Sequence, residues 1–195
     1  MIVIGAVAAL ASVLAVAAVV VLVRRLRQAT ARLDAMASAS SNTLTDHSTG
    51  LFSQEYFDVA LDARLSAARR HLRPVAVVLV EVVEGLADGS PRTAAPRTVA
   101  DSISATIRDA DTACRMTDGR FGLVLEDTPA NGAIWTVERV RRHLVGGHPG
   151  TTLWAGVACY PAHAFDADEI LTQADAALAA AREWRQDRIE VATTP

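Results

Sequence analysis

The stretch PVAVVLVEVV, residues 74–83, narrows the choice of fold more than any other part of the chain. It is a nearly continuous run of Val, Leu and Ala, opened by a proline and followed two positions later by Gly85. A strand with one wet face alternates polar and apolar residues, so a run without alternation is expected to be covered on both faces. Residues 74–83 are therefore read as the central strand of a sheet with helices packed on it, and the fold class as α/β. At 195 residues the chain has room for one such core plus an appendage. Only Glu81 interrupts the run.

The periodicities on either side supply the helices and the remaining strands. Over residues 53–72, Phe57, Leu61, Leu65 and Ala68 fall on one helical face, while Arg64, Arg69 and Arg70 fall on others. Residues 86–96 read as a loop and residues 97–109 as a helix. The segment 112–127 reads as two short strands joined by a tight turn at Thr117-Asp118-Gly119-Arg120. A helix over 131–144, a strand over 151–159, a helix over 166–184 and a short strand near 188–191 complete the order. Asp166 and Glu169 give the last helix an Asp-x-x-Glu start, the pattern of a capping box.

Ahead of this domain, a run that opens at Ile2 and closes at Val23 is uncharged throughout and matches the roughly 20 residues a bilayer-crossing helix needs. Arg24, Arg25 and Arg27 follow it. Basic residues after a long apolar run fit an anchor, whereas a cleaved signal carries them before a shorter one. Positive flanks stay on the cytoplasmic side, so residues 1–23 are expected to be a single-pass anchor in the inner, cytoplasmic membrane with the rest of the chain in the cytoplasm. Leu26, Ala29, Leu33 and Met36 form a seam about two heptads long, which suits a short dimerising helix or a solvated juxtamembrane one equally. A small, polar stretch then links to a domain beginning near Asp46, so residues 24–45 are read as juxtamembrane helix and linker.

Charge and side-chain inventory exclude several functions. The formal net charge is −3, with no basic excess to grip a nucleic-acid backbone. Cys114 and Cys159 lie far apart in apolar runs and read as buried, reduced thiols. His47, His71, His143, His148 and His163 have no metal-like spacing and read as surface residues, while Trp135, Trp154 and Trp184 read as packing residues. There is no Gly-x-Ser-x-Gly elbow and no Gly-rich phosphate loop.

Two features carry chemistry. Glu81, a carboxylate near the end of an apolar strand, must be paired, protonated or liganded, and strand ends in α/β sheets are where sites lie. The turn at residues 117–120 lies beside it if the hairpin joins the same sheet. Such a pair would suit a divalent ion holding a triphosphate, since magnesium is usually taken by one or two carboxylates plus phosphate oxygens. Yet the turn ends in Arg120.

Five segments, in order and spacing, resemble the landmarks of a GGDEF domain, the diguanylate cyclase family: DHSTGLFSQEYF from Asp46, PVAVVLVEVV, RDADTACRMTDGRFGLVLEDT, WAGVACYPAH and ADAALAAAREWRQDRI. The resemblance implies a palm-like, nucleotide-cyclase or ferredoxin-like fold over residues 46–195, with a single sheet flanked by helices and one transmembrane helix ahead of it. It also implies two subunits that each present one GTP, with magnesium, to make cyclic di-GMP. The family's Gly-Gly-Asp/Glu-Glu-Phe signature falls on Thr117, Asp118, Gly119, Arg120 and Phe121, and only the phenylalanine is kept. The family's metal-binding aspartate falls on Glu81, still an acid, but the second metal carboxylate falls on Arg120 or its neighbour Gly119. GLADGS stands where the family has Phe-Lys-x-x-Asn-Asp, and Arg97-Thr98 where Gly-Asp precedes the next helix, so the groups that read guanine are missing. A late phosphate-contacting lysine falls on Arg182. Asp118 lies one position before the family's acid, and strand alternation is expected to aim it the other way. Trp154 stands where the family usually has a small residue, and its bulk is expected to fill part of the cleft.

Two unit charges 4 Å apart interact by about 4 kcal/mol at an effective dielectric near 20, and a divalent ion doubles this. An arginine in place of an acid is thus expected to remove cyclase chemistry, even though its long side chain can swing into solvent. The resemblance implies one further site. Arg108 and Asp111 keep an Arg-x-x-Asp at the spacing of the family's product-binding inhibitory site, and Arg139 falls where a secondary arginine of that site lies. Guanidinium forks suit phosphate and the guanine Hoogsteen edge, while a helix-ending arginine paired with Asp111 is the plainer account.

The sequence therefore leads to a membrane-anchored, catalytically inactive GGDEF-like signalling or scaffold module. Its expected nucleotide site is Arg108, Asp111 and Arg139, and its vestigial active site Glu81, Thr117, Asp118, Gly119, Arg120 and Arg182. No cofactor is expected, except magnesium at Glu81 should nucleotide binding persist. The expected partners are the membrane, cyclic di-GMP, and a protein such as a second copy or another GGDEF protein. The alternative is an active cyclase that uses Glu81 with an atypical second metal ligand.

Overall fold

A computed structural model of the protein describes residues 44–193. The expected anchor and the seam at residues 26–36 lie outside the described residues. Among the described residues, no helix is long and apolar enough to cross a membrane.

Strand β2 (Val75–Glu84) is central, as its composition requires. It pairs antiparallel along its whole length with β6 (Thr151–Tyr160), and from Val75 to Val80 with β5 (Phe121–Glu126) on its other edge. Outside β5 lies β4 (Thr112–Arg115), with β1 (Phe52–Ser53) parallel to it, and outside β6 lies β7 (Arg188–Val191), also parallel. The order is β1-β4-β5-β2-β6-β7. A two-residue strand, β3 (Arg92–Thr93), pairs with Val83 and Glu84, taking the edge of β2 that β5 leaves after Val80.

Helices cover both faces. Val75, Val77 and Leu79 of β2 belong to a core with Phe57, Leu61 and Leu65 of α1 (Gln54–His71) and Ile170, Ala174 and Leu178 of α4 (Ala167–Arg182). The intervening Ala76, Val78, Val80 and Val82 belong to the opposite core, with Val99 and Ile103 of α2 (Pro96–Ser104) and Val137, Val140 and Leu144 of α3 (Ala130–Gly147). Each large apolar side chain so buried contributes about 1.5–3 kcal/mol. This two-sided burial is why β2 shows no alternation. Glu81 shares the parity of the α1/α4 face, at the end of β2 where that core gives way to a cleft.

Local chemistry fixes the ends of these elements. The Asp46 carboxylate accepts from Ser48 Oγ (2.6 Å), Thr49 Oγ1 (2.6 Å) and the Thr49 N–H (2.9 Å), and Thr45 bridges Phe52, so the stretch before α1 is folded on itself. Burial favours the neutral form of Asp46, but the hydrogen bonds from Ser48 and Thr49 outweigh it and hold the carboxyl below its ordinary value. Asp166 caps α4 by accepting the Glu169 N–H at 2.8 Å, and Glu169 reaches back to the Phe165 N–H at 3.0 Å. Helix α4 lies tightly on β6 over Gly156, where a Cβ would stand 2.2 Å from the Ala174 carbonyl oxygen.

The structure departs from the sequence reading in several places. The helix expected over 97–109 stops at Ser104, because Thr106 Oγ1 bonds back to the Ser102 and Ile103 carbonyls and Asp111 turns the chain by accepting the Arg108 N–H. β1 and β3 were not expected, since two residues carry no period. Trp135 and Trp184 are 67% and 45% exposed rather than packed. His163 is not a surface residue but is buried in the turn after β6.

Candidate functional site

The residues that drew attention in the sequence meet at one end of the sheet. Beyond β4 the chain turns through residues 117–120, with the Met116 N–H on the Arg120 carbonyl (2.9 Å) and Gly119 at φ +89°, a left-handed conformation that favours glycine. Thr117 anchors the turn to the start of α1: both its N–H (3.0 Å) and its hydroxyl (2.7 Å) donate to Gln54 Oε1. Between this turn, Glu81 and the inner side of α4 lies a cleft of about 820 Å³, bordered by Glu81, Arg115, Asp118, Arg120, Asp175 and Arg182.

Every carboxylate in the cleft already faces a guanidinium. Arg182, at the end of α4, donates to Glu81 Oε2. Arg120 is held from two sides: its Nε donates to Asp118 Oδ2 at 2.6 Å, its backbone N–H to Asp118 Oδ1 at 3.0 Å, and its Nη1 to Asp175 Oδ1 on α4. Its side chain is 19% exposed, so it does not swing into solvent as its length allowed. Burial disfavours its charge, but the hydrogen bonds to Asp175 and Asp118 outweigh this and raise its pKa further. Asp118 also departs from expectation. It faces the cleft, because a turn residue does not follow strand alternation. Trp154 leaves the cleft free, since its indole N–H donates to the Trp184 and Gln186 carbonyls (3.0 and 3.1 Å) and it is absent from the lining.

The arrangement does not fit magnesium. One expected carboxylate ligand is bound by Arg182, and the other position is a cation with two acidic partners of its own. Among the described residues, no group of three or more His, Cys, Asp or Glu side chains is placed to hold a metal ion. The guanine-side replacement Arg97 is turned to Asp101 instead, at 3.0 Å. The thiols offer no nucleophile: burial pushes Cys114 and Cys159 up to about 12.

The second expected site lies past the end of α2. Arg108 is exposed, its guanidinium has no ion-pair partner among the described residues, and it borders a cavity of about 250 Å³ with Asp111 and Phe52. Asp111 is engaged with backbone, accepting the N–H groups of Arg108 (3.0 Å) and Glu126 (3.3 Å), so the plain pairing of the two side chains is not what forms. Arg139 reaches across from α3 to the Thr106 carbonyl at 3.2 Å, which brings it to the same chain turn as Arg108.

Sequence reading missed Asp175 and Arg115. Asp175 had a usable signal, for it lies seven residues, two helical turns, before Arg182 on α4 and so shares its face. Arg115 lies 4.5 Å over the Phe121 ring and had no local signal. Burial lowers its pKa, a shift opposed by the charges of Asp46 and Asp118.

Residues 97–188 match the model of the family described as Diguanylate cyclase, GGDEF domain. No curated protein matches the chain. Among solved structures, the coiled coil and GGDEF domain of DgcB from Caulobacter crescentus, in complex with c-di-GMP, aligns at TM-score 0.68 and 21% identity over 88% of this chain and 99% of that one. The GGDEF domain of TpbB, or YfiN, from Pseudomonas aeruginosa aligns at 0.60 and 24% identity over 76% and 94%. Diguanylate cyclase SiaD from Pseudomonas aeruginosa, in complex with its activator SiaC, aligns at 0.65 and 20% identity over 87% and 70%. Likeness at this level of identity is one of fold, and that fold is the mixed α/β palm with one sheet flanked by helices.

Proposed function

We propose that this chain carries a GGDEF-type domain, as the family match over residues 97–188 supports, and that it serves cyclic di-GMP signalling by binding rather than by synthesis. The observation that carries this reading is Arg120. It stands in the turn where the family resemblance places an acid, and it is fixed there by Asp118 and Asp175 while Arg182 occupies Glu81. A cyclase needs a divalent ion between those positions, and bringing one in would place it against a partly buried positive charge.

The ligand in this reading is cyclic di-GMP, bound by Arg108 with Asp111 and Arg139. The uncommitted guanidinium of Arg108 beside a cavity supports it, and so does the c-di-GMP complex of DgcB from Caulobacter crescentus. The run from Ile2 to Val23 anchors the chain in the cytoplasmic membrane with the domain on the cytoplasmic side. The signal passes to a protein, either a second copy or another GGDEF protein, and the complex of SiaD with its activator SiaC supports control of this fold through protein contact. An active cyclase is the second reading, and Asp118 favours it, because that carboxylate faces the same cleft as Glu81.

Incubating the full chain in detergent with GTP and magnesium and separating the products decides between the two. No cyclic di-GMP is expected; appreciable product establishes the second reading. Calorimetric titration with cyclic di-GMP is expected to give heat with the wild type and binding weaker by about tenfold or more in Arg108→Ala, the loss of one charge-assisted contact. No heat from either protein leaves a protein scaffold without a nucleotide ligand.

A further inference from the structure

We infer that the outer face of α3 docks a second copy of this chain, through the outer face of that copy's α1, so that the domains associate head to tail. Trp135, Arg139 and Arg142 follow one another at steps of four and three residues and so share one stripe of α3. All three are exposed, Trp135 to 67%. The two guanidinium groups meet only backbone carbonyls, those of Thr106 and Glu138, and neither forms an ion pair among the described residues. Glu138, the one acid on this stretch, is held by Arg141 at 2.9 Å and does not neutralise them. A tryptophan flanked by arginines is the side-chain set that carries most of the binding energy at protein interfaces.

Charge and shape on α1 identify the occupant. Val59, 68% exposed, is followed by the exposed Ala63 and Ser66, a low ridge with the same four- and three-residue steps. Both stripes therefore span seven residues, about 10.5 Å of helix at 1.5 Å per residue. Asp58 and Asp62 flank the ridge, exposed and without an ion pair among the described residues. Burial and the charges of Glu55 and Asp62 raise the Asp58 pKa, and no cation of its own domain opposes the shift. In the contact, the indole of Trp135 covers Val59 and Ala63, while Arg139 and Arg142 meet Asp58 and Asp62. A single copy cannot join its own two stripes, because α1 packs on one face of the sheet and α3 on the other. Each copy thus offers α3 to one neighbour and α1 to another, a heterologous contact that repeats. It uses no residue of the cleft around Arg120, so it stands or falls separately from the reading of that cleft.

Sedimentation velocity of the full chain in detergent tests the contact. The wild type is expected to form a concentration-dependent series of oligomers that added salt weakens, because salt screens the paired charges. Trp135→Ala spoils α3 and keeps α1, whereas Asp62→Arg spoils α1 and keeps α3; Arg139 is left unchanged because it belongs to the proposed nucleotide site. Each variant alone should associate more weakly than the wild type by about tenfold or more. Mixed in equal amounts, the two should recover association as one-to-one pairs that grow no further, since α1 of the first meets α3 of the second across an unaltered contact. Association through any other part of the chain is common to both variants and does not increase on mixing. Thermal melts report whether each variant is folded, and Arg142→Ala for α3 or Asp58→Arg for α1 replaces one that is not. A wild type no more associated than the single variants, or a mixture no more associated than its parts, overturns the contact.

Discussion

His163 is 8% exposed in the turn after β6, and two hydrogen bonds tie it to Cys159: its ring Nδ1 accepts the Cys159 N–H at 2.9 Å, and its backbone N–H donates to the Cys159 carbonyl at 2.8 Å. As an acceptor Nδ1 carries no proton, so the neutral ring bears it on Nε2. Burial pushes the His163 pKa below the ordinary histidine value. As the pH falls, the unfolded chain therefore takes up this proton before the folded one does. The stabilisation is complete above about pH 6.5 and is lost as the pH drops through the lower, folded-state value. Denaturant midpoints should fall between pH 7.5 and 5.5 in the wild type and change less in His163→Gln; equal pH dependence in the two proteins would refute the assignment. Arg120 teaches a related lesson at the same scale. Its identity was plain in the sequence and set the expectation of lost metal binding, but its length left open where the charge goes, and only the approach of Asp175 on α4 settles that.

Helix α4 shows how an element inherits its position from a residue on its neighbour. Gly156 leaves no side chain on β6, and the backbone of α4 at Ala174 and Leu178 fills that space. Gly156→Ala would drive a methyl into backbone that has no rotamer to yield, so a loss of about 3 kcal/mol is expected, or roughly 6–12 °C in Tm for a domain of this size. A melt within 1–2 °C of wild type would show that α4 can lift from the sheet. Such a lift would also shift Asp175 and Arg182, so the cleft depends on this packing. At this scale the long elements were legible: β2, β6, α1 and α3 each bury a face large enough to impose a period or a continuous run on the sequence. β3 was not, because Arg92–Thr93 are exposed, polar and held by a free edge of β2 rather than by any pattern of their own.

For the molecule as a whole, the proposed anchor and the domain make separable demands. Removing residues 2–23 is expected to move the chain from the membrane to the soluble fraction, and fractionation followed by carbonate extraction checks it; persistence of the shortened chain in the membrane would exclude that run as the anchor. The sequence by itself determined the α/β class, the central place of β2 and the presence of Arg120 at the end of the turn, because burial and residue identity are written locally. The tertiary structure alone decided which arginines Asp175 and Glu81 meet. Asp118 meets Arg120 within one turn, but Asp175 meets Arg120 and Glu81 meets Arg182 from elements far apart in the chain, and charge partners across such separations are fixed by packing, which carries no sequence period.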